Sequence, residues 1–408
     1  MFRKVEESQT LLINAQTKKR ISENEQIIKF GFGQSPFLPP AKVIEALRTA
    51  APRKEYSSVQ GELRLREKMA AFHKDHNGLK VSPENILIAP GSKILLFNIL
   101  MSFEKADVYL PAPSWVSYAP QIKLAGHNLI SMATDFENNW RVTADSLRAA
   151  AAHKKQGPTI MIINYPGNPD GLSYDEEQLK KLADEARKQD ILVISDEIYG
   201  LLDHSRNHKS FVSYYPEKTI TTTGLSKWCG AGGWRFGAAF LYDNIEPAFK
   251  QALIGIGSET YSCAPMPVQM AALSAYDSYA DIDNYIEHQL TILRKVGQYC
   301  CDKLNAANLR VHKPMGGFYL FVDFSFYKEQ LVARGIKSST QLCEALLSEA
   351  KVALLPGGAF GMKADAFVTR LAYVDFEPPI DGKEFDLEVH GQNIMTGINS
   401  MTTWLSQL

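Results

Sequence analysis

The sequence has 408 residues, of which 45% are hydrophobic and 22% are charged, the composition of an ordinary globular protein with a large core. Its 44 basic and 45 acidic residues give a formal net charge of -1 at pH 7, so no excess charge directs the chain to nucleic acid or to an anionic membrane. The five cysteines, an odd number without a CxxC pair, fit neither a disulfide framework nor a zinc site. Composition therefore predicts a small-molecule partner, no bound metal and no nucleic acid.

The N-terminus and the apolar runs predict where the protein works. Residues 1–20 contain no apolar segment of signal-peptide length. The longest apolar run, ILLFNILM from Ile94, is too short to span a bilayer. We therefore expect a cytoplasmic protein without a membrane partner.

From about Val43 onward, short apolar runs alternate with amphipathic segments. The predicted strands are NILIAP (85–90), ADVYLPAP (106–113), TIMIINYP (159–166), ILVISDEIYG (191–200) and KTITTTG (218–224), and the clearest predicted helices are residues 92–101 and 174–190. Strands that are apolar throughout, separated by amphipathic helices, are typical of a mostly parallel sheet with both faces covered. The pattern therefore predicts an α/β fold.

The pattern changes near Ile292. A helix of mixed charge is followed by GGFYLFVDF (316–324) and TRLAYVDF (369–376), which alternate like strands around another helix. We predict a large domain over residues 43–290 and a smaller α+β domain over residues 291–408, joined in space by residues 1–42.

Polar groups follow four of the predicted strands at the points where the strands end. In chain order these groups are Gly91 with Ser92, Asn168, Asp196 with Tyr199, and Ser226 with Lys227. Taken singly, each has an ordinary explanation as a helix cap, a turn residue or a solvated charge. Ligands of parallel sheets bind at the carboxyl ends of the strands, so the four groups together predict a binding site.

The glycine-rich stretch GLSKWCGAGGWRFG, from Gly224, matches neither a Walker A loop nor the dinucleotide fingerprint. Lys227 at a strand end suits a Schiff base with a carbonyl group, and Asp196 at a neighbouring end suits a cationic ring nitrogen. Arg235 and the helix start at Ser92 suit a phosphate. Lysine, aspartate and a phosphate cradle are the three fixtures that pyridoxal phosphate requires.

With these residues in place, the chain resembles the class I/II aminotransferases of the aspartate aminotransferase family, which are pyridoxal-phosphate enzymes of fold type I. The likeness covers nearly the whole chain as an ordered series of motifs: FGFGQSPF, YSSVQGELRLREKMA, APGSK, PAPSWVSY, YPGNPDG, SDEIYG, LSKWCGAGGWRFG, GGFYLF, LLPGGAFG and TRLAY. It implies a large domain with a mostly parallel, seven-stranded-type sheet, a smaller α+β domain, and a transaminase that uses pyridoxal 5'-phosphate.

The resemblance also implies roles around the cofactor ring. Lys227 would form the Schiff base and then carry the proton between the substrate Cα and the cofactor. Asp196 would keep the ring nitrogen protonated. Asn168 and Tyr199 would hydrogen-bond the ring hydroxyl oxygen, and Trp115 would stack on the ring.

The phosphate and the second subunit come next in what the resemblance implies. Gly91, Ser92, Ser226 and Arg235 would surround the phosphate. The hydroxyl of Tyr56 would reach the same group from the other subunit of a homodimer.

For the substrate, the resemblance implies that Arg370 grips the α-carboxylate as a bidentate fork. Gly33 would let backbone approach the same carboxylate, beside Trp115 and Asn168. Lys93 has two open interpretations, because it could meet the distal carboxylate of an acidic substrate or lie near the phosphate or in solvent. Glutamate with 2-oxoglutarate is the expected pair on one side, and aspartate or an aromatic amino acid on the other.

Four positions depart from the family pattern, and one of them is Gly232, because the usual Thr-Gly-Trp-Arg reads GGWR at residues 232–235. Where the family usually reads Pro-Asn-Asn-Pro-Thr-Gly, residues 166–171 read PGNPDG, which places Gly167 and Asp170 in the loop of the asparagine. Gly224 stands where many members have a phosphate-binding serine. These departures bear on the details of the site rather than on the cofactor.

Two other functions stay open at this point. A β-eliminating lyase or a synthase of the same fold would use the same residues, since the reaction depends on which Cα bond stands perpendicular to the ring. A ligand-sensing module of a transcription regulator would need a DNA-binding domain. Only about forty residues precede the first core motif, and they contain no basic helix-turn-helix pattern.

Overall fold

The structure, a computed structural model, describes residues 2, 5, 7–155, 157–277, 279–379 and 384–408. The strands are β1 (Ile28–Lys29), β2 (Ile86–Ala89), β3 (Asp107–Ala112), β4 (Asn128–Ala133), β5 (Thr159–Asn164), β6 (Leu192–Asp196), β7 (Thr219–Gly224), β8 (Gly237–Phe240), β9 (Tyr319–Asp323), β10 (Val352–Ala353), β11 (Leu355–Pro356) and β12 (Val368–Ala372). The α-helices are α1 (Gln9–Ser22), α2 (Ala41–Ala50), α3 (Leu63–Asn77), α4 (Ser92–Met101), α5 (Tyr118–Leu124), α6 (Ala144–Ala151), α7 (Glu176–Lys188), α8 (Pro247–Thr260), α9 (Met266–Ala275), α10 (Tyr279–Ala306), α11 (Lys328–Ala333), α12 (Ser339–Glu349), α13 (Leu387–His390) and α14 (Gln392–Leu405). Each predicted strand and helix of the preceding section is present, which confirms the α/β assignment.

The central sheet has seven strands in the order β2-β8-β7-β6-β5-β3-β4. β8 runs antiparallel to both of its neighbours, and the other neighbouring pairs are parallel. The prediction of a mostly parallel seven-stranded sheet is therefore confirmed. Since β2 and β7 both run opposite to β8, the carboxyl ends of all strands except β8 lie along one edge.

Both faces of this sheet are buried, which explains why its strands are apolar throughout. On β5, Ile160 and Ile162 pack into a cluster that includes residues of α4, and Met161 and Ile163 pack into a second cluster with α7. A capping box between Asp175 and Gln178 fixes the start of α7. The edge of the sheet is consequently a rigid platform for whatever groups extend beyond it.

The C-terminal part contains a three-stranded antiparallel sheet in the order β11-β12-β9. β1, near the N-terminus, pairs in parallel with β10. The 28-residue helix α10 runs through the predicted boundary between residues 290 and 291. The helix is amphipathic along its whole length, so its sequence pattern gives no signal at that boundary, and the division into two domains stays a prediction.

Within the described ranges, no helix is both long enough and apolar enough to cross a membrane.

Candidate active site

Strand register aligns three polar residues at the edge of the sheet. Asn164 pairs with Asp196 across β5 and β6, and Asp196 pairs with Thr222 across β6 and β7. The Asn164 side chain donates a hydrogen bond to the carbonyl oxygen of Asp196 at 2.7 Å. The end of β6 is therefore held in place from both neighbouring strands.

The carboxyl group of Asp196 is buried, with 3% of the residue exposed. The hydroxyl of Tyr118 donates to its Oδ2 at 2.7 Å, and the hydroxyl of Thr222 donates to its Oδ1 at 3.1 Å. Burial raises the pKa of Asp196 to about 6, although these two hydrogen bonds oppose the rise. Such a carboxylate is oriented, and no cationic side chain among the described residues pairs with it, so a cationic ligand would stabilise its charged form.

Lys227 extends from the loop that follows β7. Its Nζ donates to the carbonyl oxygen of Gly33 at 3.0 Å and lies 5.5 Å from the centre of the Tyr199 ring and 5.6 Å from that of Phe318. The Lys227 side chain is half-buried, so its amine is partly open to solvent, and we call the region that it borders the cleft. Lys227 is thus placed between the central sheet and the segment that carries Gly33.

Two tyrosines connect the central sheet to the smaller sheet. The hydroxyls of Tyr199 and Tyr319 are 2.9 Å apart, and both rings are buried. A Cβ at position 33 would collide with the Tyr319 hydroxyl, so the chain needs a glycine there for this close approach. Gly33, Tyr199 and Lys227 therefore lie close together, and their assignment to a common site stays a prediction.

Arg370, on β12, is 1% exposed. Its Nη1 donates to Oδ1 of Asn168 at 3.2 Å, and its Nη2 donates to the carbonyl oxygen of Gly31 at 2.7 Å. The guanidinium carbon lies 4.7 Å from the centre of the Tyr319 ring and 5.3 Å from that of Phe360.

No carboxylate of the described residues acts on the charge of Arg370, and its buried Nε finds no acceptor there. Burial lowers the pKa of the guanidinium. A buried guanidinium with only neutral partners is costly unless an anion joins it. Arg370 is therefore a candidate carboxylate-binding group.

A second cationic region surrounds the start of α4. Gly91 has a φ of 98°, and a Cβ there would collide with the guanidinium of Arg235. A Cβ at Gly237 would collide with the backbone nitrogen of Ser92. The two glycines therefore bring Arg235 and the helix start together, and backbone amides at a helix start attract anions.

Gly224 belongs to the same region because it pairs with Gly237 across β7 and β8. A Cβ at Gly224 would lie 2.5 Å from the carbonyl oxygen of Phe236, which leaves no room for a serine in this backbone. The departure from the family pattern at this position is thus explained by close packing. In this chain, another group must make the anion contact that the serine makes in those members of the family.

Lys93 and Trp115 lie next to this cationic region. The Lys93 Nζ is 5.5 Å from the centre of the Trp115 ring. Desolvation and the charge of Arg235 lower the pKa of Lys93. Two cations that repel each other beside a helix start form a site that an anion would stabilise.

Two predicted residues have less defined surroundings within this chain. Tyr56 is 88% exposed and contacts none of the groups above, so a single chain does not bring it into the site. Ser226 is half-buried next to Lys227, and its backbone oxygen lies 3.4 Å from the place of a Cβ at Gly232. The glycines between Lys227 and Arg235 let this loop turn back toward the start of α4.

Sequence reasoning missed four residues of the site: Asn164, Tyr118, Thr222 and Tyr319. Tyr118 stands three residues after Trp115 in PSWVSY, and Tyr319 lies in GGFYLF, so both were inside motifs already singled out. Nothing in either motif shows which residue the hydroxyl contacts. Asn164 and Thr222 are recognisable only from the register of the strands.

The arrangement was compared with known proteins. The sequence model of the family described as "Aminotransferase class I and II" matches residues 25–373. The aspartate aminotransferase of Bacillus sp. (strain YM-2) is 32% identical over 368 residues, which are 87% of this chain and 89% of that protein. The aromatic-amino-acid aminotransferase 2 of Thermococcus litoralis is 30% identical over 363 residues, 86% of this chain and 87% of that protein.

The fold is also similar to solved structures. The structure of aspartate aminotransferase from Thermus thermophilus with maleate has a TM-score of 0.85 and 25% identity, and the match covers 98% of this chain and 100% of that one. The residues that the family model matches, 25–373, include every strand of the central sheet and all the side chains described above. The chain belongs to the aminotransferase class I and II family, and the protein is an aminotransferase.

Proposed function

We propose that the protein binds pyridoxal 5'-phosphate in this cleft and uses it to move an amino group between an L-amino acid and a 2-oxo acid. The observation that carries the proposal is the convergence of Lys227, Asp196 and Arg370. Lys227 and Arg370 both lie against the group formed by Gly33, Tyr199 and Tyr319, and Asp196 lies at the neighbouring strand end. A free amine, a carboxylate without a cation and a guanidinium without an anion are complementary to a cofactor aldehyde, a ring nitrogen and a substrate carboxylate.

The residues present fit this cofactor. When bound, it supplies an electron sink for the charge that develops at the substrate Cα. The ring nitrogen would lie at Asp196, and Asn168 and Tyr199 would hydrogen-bond the ring hydroxyl oxygen. Trp115 would stack on the ring.

Lys227 would hold the cofactor covalently and, once released, would take the proton from the Cα of the substrate and return it. Its half-buried amine can exchange a proton with a group placed between it and Tyr199. Tyr118 and Thr222 would keep the Asp196 carboxylate turned toward the ring.

The cationic region at the start of α4 would hold the phosphate. Gly91, Ser92 and Ser226 offer backbone and hydroxyl donors, and Arg235 offers a guanidinium. Lys93 adds a positive charge at the same place. Repulsion between Lys93 and Arg235, which the phosphate would relieve, supports this assignment.

The substrate α-carboxylate would bind Arg370, which lies beside the Asn168 side chain and the Gly31 carbonyl. Relatives named for aspartate and for aromatic amino acids are similarly close in identity. We propose glutamate and 2-oxoglutarate as one pair and aspartate or an aromatic amino acid as the other donor. Lys93 remains a candidate for the distal carboxylate of an acidic donor.

We also propose a homodimer in which Tyr56 reaches the partner's phosphate site. Tyr56 is 88% exposed and Leu38 is 78% exposed, so both side chains are available for contact with a second copy of the chain. The five cysteines are free thiols, and four of them are buried, which supports placement in the reducing cytoplasm. Sedimentation of the purified protein tests the dimer, and a monomer at the concentrations used for assay would contradict it.

The test of the function is spectroscopic. The purified protein is mixed with pyridoxal phosphate, and L-glutamate, L-aspartate, L-phenylalanine and L-tyrosine are then titrated in separately. We expect the absorption band of the lysine-bound cofactor to convert to that of the aminated cofactor with glutamate and with one of the others. Absence of the first band would contradict cofactor binding, and release of pyruvate and ammonia without conversion would identify a lyase.

A further inference from the structure

The loop that carries Asn168 also carries Asp170, which forms a buried ion pair with Arg141. Nη2 of Arg141 is 2.5 Å from Oδ2 of Asp170, and the side chains of the two residues are 5% and 3% exposed. Asp170 is one of the two residues by which this loop departs from the family pattern. Both residues line the same small cavity as Asn164 and Asn168.

The two departures in the loop are physically linked. A Cβ at Gly167 would collide with the carboxylate of Asp170. The asparagine that the family usually has at this position is therefore incompatible with an aspartate three residues later. Gly167 makes the space that the Asp170 carboxylate occupies.

Arg141 connects the loop to the edge of the sheet. Its Nη1 lies 3.4 Å from the carbonyl oxygen of Leu172 and 3.5 Å from that of Asn164, the last residue of β5. Oδ1 of Asp170 accepts a hydrogen bond from the Leu172 N–H at 2.7 Å. The guanidinium also lies 5.1 Å from the centre of the Tyr174 ring. The pair thus fixes both the middle and the end of the loop relative to β5.

The same loop positions two groups of the active site. The Asn168 N–H donates to Oδ1 of Asn164 at 2.8 Å, and Oδ1 of Asn168 accepts from Nη1 of Arg370 at 3.2 Å. The other side of Asn164 holds the backbone of Asp196. A displacement of the loop would therefore move Asn168 away from Arg370 and loosen the end of β6.

We propose that Arg141 and Asp170 form a positioning pair that sets the place of Asn168, and through it of Arg370, for substrate binding. Neither residue touches the reacting atoms, so the pair acts through Asn168. The effect of the Arg141–Asp170 pair on substrate binding rests on the proposed function, whereas its effect on the position of the loop does not. Breaking a buried pair leaves an uncompensated charge, and that charge is accommodated only if the loop opens.

The first test is amide hydrogen exchange on the cofactor-free protein with Asp170→Asn. We expect the Asn168 and Leu172 amides to exchange about tenfold faster than in the natural protein, because residues of one hydrogen-bond network are energetically coupled. Glu176→Gln, which breaks the exposed ion pair with Lys180 on α7, is the matched control and should leave both amides unchanged. Unchanged exchange in Asp170→Asn would overturn the proposal.

The second test is steady-state kinetics with the full enzyme. We expect Asp170→Asn to raise KM for the amino acid about tenfold, with a smaller change in kcat, since Arg370 binds the carboxylate before and during reaction. The pH titration of the bound cofactor's absorption band should shift as well, because Asn168 would hydrogen-bond the ring hydroxyl oxygen. A variant that is only less stable, with KM and titration unchanged, would show that the pair is structural.

A rescue experiment covers the case in which Asp170→Asn does not fold. In Arg141→Met/Asp170→Thr both charges are removed together, so the protein should fold. Adding Gly167→Asn to this double variant should be tolerated, whereas Gly167→Asn alone should raise KM sharply. Equal effects of Gly167→Asn in the two backgrounds would overturn the proposed link. If the natural protein binds no cofactor, the proposed function fails, and the exchange experiment still tests the pair.

Discussion

The two ends of the cleft hold their charges in different ways. At the end where the cofactor ring would bind, which we call the ring end, Asp196 is 3% exposed and accepts hydrogen bonds from Tyr118 on α5 and Thr222 on β7. At the end where the phosphate would bind, which we call the phosphate end, Arg235 is exposed and donates to the carbonyl of Gly232, and desolvation together with the charge of Arg235 lowers the pKa of Lys93. One end is organised by the protein alone, and the other has excess positive charge.

This difference suggests what each end contributes to catalysis. A group whose charge must act on the transition state works best when its orientation is fixed beforehand. The ring end meets that requirement, because sheet register determines where Asp196 lies. The phosphate end would only anchor the cofactor, so the bound phosphate can itself balance the positive charges there. We expect substitutions at the ring groups to reduce turnover, those at the substrate group Arg370 mainly to raise KM, and those at the phosphate end mainly to reduce cofactor affinity.

The largest expected effect is that of Lys227→Ala. Loss of the covalent link and of the proton carrier should lower turnover by about 10⁴-fold or more, while the fold persists, because Lys227 is only half-buried. Turnover and circular dichroism are measured on the same sample. Lys227→Arg, which keeps the charge but cannot form the link, is the control and should be as inactive. A folded Lys227→Ala with normal turnover would contradict the assignment.

Arg370→Met should have the next largest effect. Removal of a buried hydrogen-bonded charge typically costs 2–5 kcal/mol, so kcat/KM should fall by about 30-fold to 1,000-fold or more. The loss should appear chiefly in KM and should be similar for all amino acids, since each of them carries an α-carboxylate. Arg334→Met, at an exposed arginine paired with Glu349, is the control. An unchanged KM for every amino acid would place the carboxylate site elsewhere.

The first of these predictions rests on a residue that the sequence itself indicated, and the second rests on the resemblance to a family. Lys227, Asp196 and Asn168 follow apolar runs too short for helices and rich in β-branched residues, and parallel strands bring their ends to one edge. Arg370 and Gly33 came only from the resemblance to a family, since no periodicity distinguishes a buried arginine on a strand from an exposed one. Burial and the contact with Asn168 required the structure.

The remaining parts of the site could not be predicted for a physical reason. The contact of Tyr118 with Asp196 joins residues 78 positions apart, and it depends on how α5 packs against the sheet. The Arg141–Asp170 pair likewise depends on space left by Gly167. Side-chain partners across a fold are set by register and packing, which local sequence does not encode. The boundary predicted at residue 290 falls inside α10 because the amphipathic pattern of this helix has no break there.

The pH dependence of cofactor binding provides a sharper test of the ring end. Burial raises the pKa of Asp196 to about 6 in the cofactor-free chain, and a cationic ring nitrogen beside it would lower that pKa. Binding therefore favours the ionised carboxylate, so affinity should rise as pH increases toward 6 and level off above it. In Asp196→Asn this rise of cofactor affinity with pH should be absent. The affinities of the natural protein and of Asp196→Asn for pyridoxal phosphate are measured by fluorescence titration, and a ratio of the two that is constant from pH 5 to 7 would contradict the assignment.

The smallest expected effect is that of Lys93→Met, which tests the phosphate end. Because Lys93 and Arg235 repel each other, removing one cation lowers their mutual repulsion as well as their attraction for an anion. Cofactor affinity should therefore fall only about threefold to tenfold, more at low salt than at high salt, since partly exposed charges are screened. Lys123→Met, on α5, is a control for general charge effects. If Lys93→Met instead raises KM for aspartate and leaves phenylalanine and cofactor affinity unchanged, then Lys93 binds the distal carboxylate. In that case Arg235 and the start of α4 hold the phosphate without it, and the two ends of the cleft differ less than their charges suggest.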